Sequence, residues 1–469
     1  MIKSKFTATG QPNIRLTNKK DTLVSVLPNG LKQIEIGIGA REEMTRRRLI
    51  VLIRQIISTA KIHGVKKISL SFSDFRFAHL GTSENDLAEL MGVNFEMANF
   101  QFVKYKTPPP EGWIFVEKIE IAGASAPAKK AFKQGQIIGD GVNYCRTLAN
   151  TPGGEMTPRK LAQAARAALR GARVKVKILG KREMARLRMG GILGVSRGSD
   201  EKPQFIIMEY WGAGRRRQSA SSRHPSAPVV LVGKGVTFDT GGLNVKPENY
   251  MYEMHMDMSG GAAVLSAIAL AAKLNIKKNI VGLIPAVENM PSGSSYHPGD
   301  VLKTYSGKTI EILNTDAEGR VILADALGYA LRYNPRLVVD VATLTGAAMG
   351  ALGQRASAIF TKDEKMEKLF RELGEESGDY VWPFPLWDEF EDEIKGTFGD
   401  WANMGKTRYG GAITGAIFLH QFVKDKKGDT VPWVHIDMAP RMTAVEGEHL
   451  AKGAAGAPVR LLIKLLERF

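Results

Sequence analysis

The chain has 469 residues, 44% of them hydrophobic and 24% charged, a balance that excludes a mostly disordered polymer and leaves room for two or three domains. Its single cysteine, Cys145, excludes an internal disulfide and any cysteine-based zinc cluster. The net charge of +17 is uneven, with the positive excess in the first half and a slightly acidic second half.

A basic half can attract nucleic acid or anionic surfaces, yet no zinc-finger spacing and no aromatic RNA-binding motif supports specific reading. The first sixteen residues hold no apolar signal-peptide core. The longest strongly apolar stretch, Ala262 to Ala272, falls short of the roughly 20 helical residues that cross a bilayer. A cytoplasmic location without a membrane partner is therefore expected.

In chain order, Thr45 to His63 has helical character, Lys67 to Phe72 is rich in β formers, Ser83 to Met97 is helical, and Phe100 to Tyr105 is extended. Pro108, Pro109 and Pro110 break the chain. Ile114 to Ile121 alternates like a half-buried strand, and Ala126 to Leu148 reads as a long helix. Residues 1–145 are thus expected to form a small α/β domain without a catalytic cluster. The turn formers Pro152, Gly153, Gly154 and Pro158 mark the entry to a larger domain over 146–469. There the strand-like runs Val174 to Leu179, Gln204 to Tyr210, Val229 to Val232, Ile280 to Ala286, Leu337 to Val341 and Trp433 to Met438 alternate with helices, Ala262 to Leu274 and Val321 to Tyr333 among them. This pattern predicts an α/β fold with a central, largely parallel mixed sheet flanked by helices. Sites in such sheets gather at the carboxyl ends of strands. The basic, serine-rich stretch at about 212–228 interrupts the order and reads as a surface loop.

Some motifs fail on inspection. Gly194 to Gly198 has the pattern of a nucleophile elbow around Ser196, but Gly198, Ser199, Asp200 and Pro203 follow where a helix is required. Gly307-Lys308-Thr309 is similar to the end of a phosphate-binding loop, but Leu302 occupies the position that must be glycine. HExxH is absent.

The informative stretch is Asn314 to Leu327, NTDAEGRVILADAL. Asp316, Glu318 and Arg320 are spaced two apart between an apolar run, Ile310 to Leu313, and a helix-periodic segment that begins at Val321. In an extended loop this spacing points all three to one side, where paired acids and a cation suit a divalent metal plus an anion. Taken alone, the same residues read equally well as an acidic helix start. A second stretch, VVLVGKGVTFDTGGLNVK over 229–246, runs a strand into Lys234, Asp239 and Lys246. Singly, the lysines read as surface cations and Asp239 as a turn residue. Asp257 precedes an apolar helix, a position that equally suits an N-cap. In combination, four carboxylates beside strand ends or helix starts suit Zn²⁺, Mn²⁺ or Mg²⁺, and two such ions can clamp a hydrolytic transition state. The residues by themselves point to a metal-dependent hydrolase.

NTDAEGR, Asn314 to Arg320, resembles the signature of the leucyl or cytosol aminopeptidases, which are dinuclear metallopeptidases. GKGVTFDTGGLNVKP (Gly233 to Pro247), MHMDMSGGAA (Met254 to Ala263), ENMPSG (Glu288 to Gly293), PGDV (Pro298 to Val301), ATLTGA (Ala342 to Ala347) and WVHIDMA (Trp433 to Ala439) match the same family in the same order. The resemblance covers about 146 to the end and is weak before that. It implies an enzyme that releases N-terminal residues, leucine and similar ones preferred, from short peptides.

Carried over by position, the resemblance makes Asp239 and Glu318 bridges between two metals. Lys234 and Asp257 would complete the tighter site, and Asp316, through its carboxylate and its backbone carbonyl, the exchangeable one. The ions would be Mn or Zn, with Mg an option in the exchangeable site. A lysine ligand must be neutral, a state that an adjacent dication can hold. Lys246 would polarise the scissile carbonyl and stabilise the oxyanion. Arg320 would hold a bicarbonate as general base for the metal-bridging water, a pairing that suits a guanidinium fork. The substrate's free α-amine would bind the exchangeable metal. Met254, Asn314, Thr343, Leu344 and Gly346 fall at the substrate pocket, and His255 reads as a non-ligand. A homohexamer with sites facing an inner cavity is implied as well. The alternatives are another two-metal hydrolase, such as a phosphoesterase, and DNA binding by the basic half. The insert around Arg215 to Arg217 is not expected from the family core.

Overall fold

The structure is a computed structural model that describes residues 1–8, 12–214, 227–424 and 428–469. The insert at Arg215 to Arg217, and most of the loop expected at 212–228, lie outside the described residues. The chain divides into two compact units, Met1–Asn143 with Ala444–Gly453, and Tyr144–Thr443 with Ala454–Phe469. No shift in composition marks 444–453 as part of the first unit.

In the first unit, helices Arg46–Ile62 and Glu84–Asn99 start where Thr45 and Ser83 accept hydrogen bonds from the backbone N–H groups of Arg48 and Asp86, as N-caps do. Lys67–Ser71, Lys118–Ala122 and Lys3–Thr7 form a parallel three-stranded sheet. A second small sheet joins Ile14–Thr17, Lys32–Gly37 and Leu23–Val26. Two sequence expectations fail here. Phe100 to Tyr105 forms no strand, and the strand expected from Ile114 begins only at Lys118. The second failure has a visible cause: the Asn99 side chain donates to Val116 O at 2.9 Å and accepts from Val116 N at 2.9 Å. Both backbone groups of Val116 are thereby taken from any ladder.

The second unit is built on a nine-stranded mixed sheet. Its order runs Val381–Pro383, Ser357–Phe360, Trp433–Asp437, Leu337–Ala342, Val229–Gly233, Asn279–Asn289, Gln204–Trp211, Val174–Leu179, with Gly235–Asp239 paired to the far end of Asn279–Asn289. The central pairings are parallel, and antiparallel pairings lie outside them. Val229–Gly233 and Leu337–Ala342 are buried throughout, as expected of strands covered on both faces. Helices Ser259–Lys273 and Glu318–Ala330 bury most or all of their residues. The apolar run Glu248–Lys273 is long enough to cross a membrane, but 83% of its apolar window is buried within the protein, as in a core helix.

Three local features position the site. First, at Lys234 the chain parts from Leu337–Ala342 and keeps Asn279–Asn289 as its sheet neighbour; the Lys234 N–H donates to Val341 O at 3.0 Å and its carbonyl accepts from Gly261 N at 2.7 Å. The strand that follows, Gly235–Asp239, lies beyond the run expected to end at Val232. Its pairing slips between Val236 and Phe238, so Thr237 is one residue more than the partner strand supplies, a bulge. Second, the helix begins at Glu318, with Ala317 in the N-cap position. The extended-loop picture of residues 316 to 320 is thus corrected: Glu318 and Arg320 converge with Asp316 through a helix entry. Third, Asp257 ends the short turn Met254–Met256, and Met258, not Asp257, occupies the cap position of the next helix.

Candidate metal centre

Single ligand oxygens of Asp239, Asp316 and Glu318 lie within 4.8 Å of one another. Asp239 ends a strand, Asp316 lies in the loop after Thr309–Glu311, and Glu318 opens a helix. Lys234 Nζ sits 2.8 Å from Glu318 Oε1 and 2.8 Å from Asp257 Oδ2, so Asp257 joins the cluster through Lys234. Lys246 Nζ lies 2.8 Å from Asp239 Oδ2 and is also paired with Asp316. Lys234, Asp239, Asp257, Glu318 and Arg320 are all buried, while Lys246 and Asp316 are half-buried. Six of the seven residues singled out from the sequence, all but Arg320, are linked by these contacts. His255 is half-buried and outside the carboxylate group, and burial lowers its pKa.

The electrostatics favour added positive charge. Burial, with Glu318 and Asp239 adding to it against Lys234 and Lys246, pushes the Asp257 carboxyl up to about 8. Burial and the same two carboxylates push Asp316 up to about 7, against the pull of Lys246. Burial opposes the charge on both lysines, and the surrounding carboxylates outweigh it, so both pKa values lie above the ordinary lysine range. Four acids crowded in low dielectric resist full ionisation even beside two ammonium groups, and added positive charge would relieve that imbalance. Oxygen-rich donors with that imbalance fit divalent cations.

Arg320 reaches the same region with 5% of its surface exposed. Burial lowers its pKa to about 10, against the carboxylates of Glu318 and Asp437. Among the described residues, its Nε and Nη1 have no hydrogen-bond partner. A buried guanidinium with idle donors is suited to a small planar anion.

Loop 343–346 supports the centre from the end of strand Leu337–Ala342. Thr343, expected at the substrate pocket, donates its hydroxyl to Asp257 Oδ1 at 2.6 Å, and its carbonyl accepts from Lys234 Nζ at 2.9 Å. Asp437 holds the rest of the loop, accepting from Leu344 N at 3.1 Å and from the Thr345 hydroxyl at 2.6 Å. Asn314 accepts from Asp316 N at 2.7 Å, and Asn403 braces it by donating to its carbonyl at 2.7 Å. Met254 and Leu344 are half-buried and Gly346 is exposed. Sequence reasoning missed Asp437, Asn403 and the bonds of Thr343, since each acts across a gap of 86 to 109 residues. Ser196 follows a helix, and its hydroxyl donates to Leu193 O, so no elbow exists there.

One glycine is required by close approach. A Cβ on Gly319 would lie 2.6 Å from Lys234 Cε and 2.8 Å from its Nζ. Gly319→Ala is expected to displace Lys234 and to weaken any divalent-cation binding here by about tenfold or more. Equilibrium titration checks this, and an unchanged isotherm would show that the lysine's placement does not matter.

The cytosol aminopeptidase family, catalytic domain, matches residues 143–463. A probable cytosol aminopeptidase of Methylibium petroleiphilum is 42% identical over 444 residues, covering 94% of this chain and 86% of the relative. Another, of Bdellovibrio bacteriovorus, is 38% identical over 445 residues, covering 93% and 85%. Among solved structures, the bottromycin maturation enzyme BotP in complex with Mn is similar at a TM-score of 0.83 and 28% identity, over 99% of this chain and 98% of that one. With a catalytic-domain match over most of the second unit and relatives alike along nearly the whole chain, this protein belongs to the cytosol aminopeptidase family.

Proposed function

We propose that the chain is a two-metal aminopeptidase that removes N-terminal residues, leucine and similar ones preferred, from short peptides. The observation that carries this reading is the group of carboxylates Asp239, Asp257 and Glu318, all buried, with half-buried Asp316, held against Lys234 and Lys246. Asp239 and Glu318 would bridge the ions, with Lys234 and Asp257 on one and Asp316 on the other. Manganese in the BotP complex supports Mn as one choice; Zn, or Mg in the exchangeable site, are the others. When bound, the two cations would supply Lewis acidity and bring the pKa of water toward neutrality.

The chain's own groups would do the rest. Lys246, beside Asp239 and Asp316, would donate to the oxyanion that develops on the scissile carbonyl. Arg320 would seat a bicarbonate as proton acceptor with its idle Nε and Nη1 donors. Met254, Asn314, Leu344 and Gly346 would contact the substrate, with Thr343 orienting Asp257. The proposal includes a homohexamer and, in keeping with the names of the relatives, a cytoplasmic location.

The test compares a chromogenic leucyl anilide with a phosphate ester on the Mn²⁺-loaded protein. Cleavage of the anilide alone is expected, and cleavage of the ester alone would overturn the reading. Arg320→Ala should lower kcat by about 10²-fold or more, the range of a lost general base, with both metals retained. The parent's rate should rise when bicarbonate is restored to carbonate-free buffer. A flat response would remove bicarbonate from the mechanism.

A further inference from the structure

Asn289 closes the longest strand of the large sheet and is fully buried beside the carboxylates. Its side-chain amide donates to Asp239 Oδ1 at 2.8 Å and to the Thr315 carbonyl at 2.9 Å. Its own carbonyl accepts from Thr240 N at 3.0 Å and from the Thr240 hydroxyl at 2.8 Å. Asp239 and Asn289 are register partners across the parallel pair, so backbone pairing and side-chain bond fix the same residue twice.

The amide can take one orientation only. Flipped, its oxygen would face Asp239 Oδ1 and Thr315 O, two acceptors, while its NH2 would face the closed side near Gly242. In the orientation present, Asn289 Oδ1 has no hydrogen-bond partner among the described residues. It sits where a Cβ on Gly242, at φ +67°, would come within 2.8 Å. Leaving a buried carbonyl unpaired is costly, so the donor end of this amide is what the fold retains.

Asp239 Oδ1 also accepts from Gly241 N at 2.9 Å. Two donors therefore hold Oδ1, and Oδ2 is left facing Lys246. The other bond of the amide reaches the loop that carries Asp316 and leads into the helix opened by Glu318. Thr315 in that loop accepts from the Tyr296 hydroxyl at 2.7 Å through the same carbonyl, donates its hydroxyl to Gly241 O at 2.6 Å, and accepts Asn244 N at 2.8 Å. One NH2 group thus ties a carboxylate of the first loop to the backbone of the second.

We infer that Asn289 is a positioning residue of the metal centre: it fixes which oxygen Asp239 presents and locks the two carboxylate-bearing loops together, and so sets the affinity for the divalent ions. This rests on the reading of Asp239 as a metal ligand. Carboxylate ligands depend on such outer partners, whose loss commonly weakens binding by about 10- to 100-fold.

The experiment is equilibrium titration of the full-length protein with Mn²⁺ alone, alongside thermal melting of the metal-free protein. Asn289→Leu, close in shape but without polar atoms, should raise the Kd by about tenfold or more while the metal-free melting temperature stays near the parent's. Asn289→Ala should weaken binding equally and serves if the leucine variant does not fold. Tyr296→Phe removes a donor from the same Thr315 carbonyl without touching Asp239 and should leave the Kd within about threefold, below the range for a lost ligand partner. A parent-like Kd in the Asn289 variants overturns the inference. So does a Tyr296→Phe effect as large as theirs, since the loss would then act through the Thr315 loop alone. A parent that binds no Mn²⁺ overturns instead the reading of the site as a metal centre.

Discussion

Replacing Glu318 with alanine should lower kcat by at least about 10³-fold, the scale of several kcal/mol of lost metal-ion stabilisation, and should reduce the bound metal below two ions per chain. Glu318 opens its helix with its carboxylate 2.8 Å from Lys234 Nζ, and one of its oxygens lies within 4.8 Å of a carboxylate oxygen of Asp239 and of Asp316. Its charge also helps raise the pKa values of Asp257 and Asp316. Without it, Lys234 keeps Asp257 as its near partner, and the centre loses the carboxylate that lies beside both lysine-paired acids. Glu318→Gln keeps the shape and removes the charge, so it should fall between parent and alanine in metal content. Metal analysis of the purified variants, run with single-substrate kinetics, checks both statements. Full activity with two ions retained would sink the model of a shared bridging carboxylate.

Lys246→Met should lower kcat by about 10²- to 10³-fold, the usual cost of removing an oxyanion donor, with KM little changed and both metals in place. The methionine fills much of the volume of the lysine stem but brings no donor. A second consequence appears without metal. Lys246 is paired with Asp239 and Asp316, so its loss leaves those carboxylates crowded with less counter-charge. The metal-free variant should melt below the metal-free parent, and saturating Mn²⁺ should close most of that gap. Kinetics with a leucyl amide test the first claim, and paired melting curves the second. A fall in kcat that simply tracks lost metal would show that Lys246 holds ions rather than substrate.

The legible part of this protein was the part that local chemistry writes into short segments. The apolar strands at 229 and 337, the helix starts capped by Thr45 and Ser83, and the acids of Asn314 to Arg320 all announced themselves. Gly235–Asp239 did not, because glycines interrupt the apolar run after Val232 and Asp239 alone reads as a turn residue, and only a neighbouring strand already in place makes these five residues extended. Phe100 to Tyr105 has strand composition and no ladder to join. Glu318 and Arg320 were placed on the correct side for an incorrect reason, since a helix start rather than an extended loop brings them there. The outer partners were hidden most completely. Asn289 and Asp437 are ordinary polar residues in sequence, the bond from Thr343 to Asp257 is equally unforeseen there, and their importance follows from register between distant segments.

The bulge at Thr237 carries a consequence of its own. Successive side chains of a strand face opposite ways, so one surplus residue decides whether Asp239 looks into the centre or away from it. Thr237 is held in place by its hydroxyl, which donates to Val287 O at 3.2 Å. A descendant of this chain that lost one residue between Gly235 and Asp239 could keep its sheet and every ligand letter in its sequence while aiming the bridging acid at the wrong wall. In this stretch, spacing is inherited information as much as residue identity is.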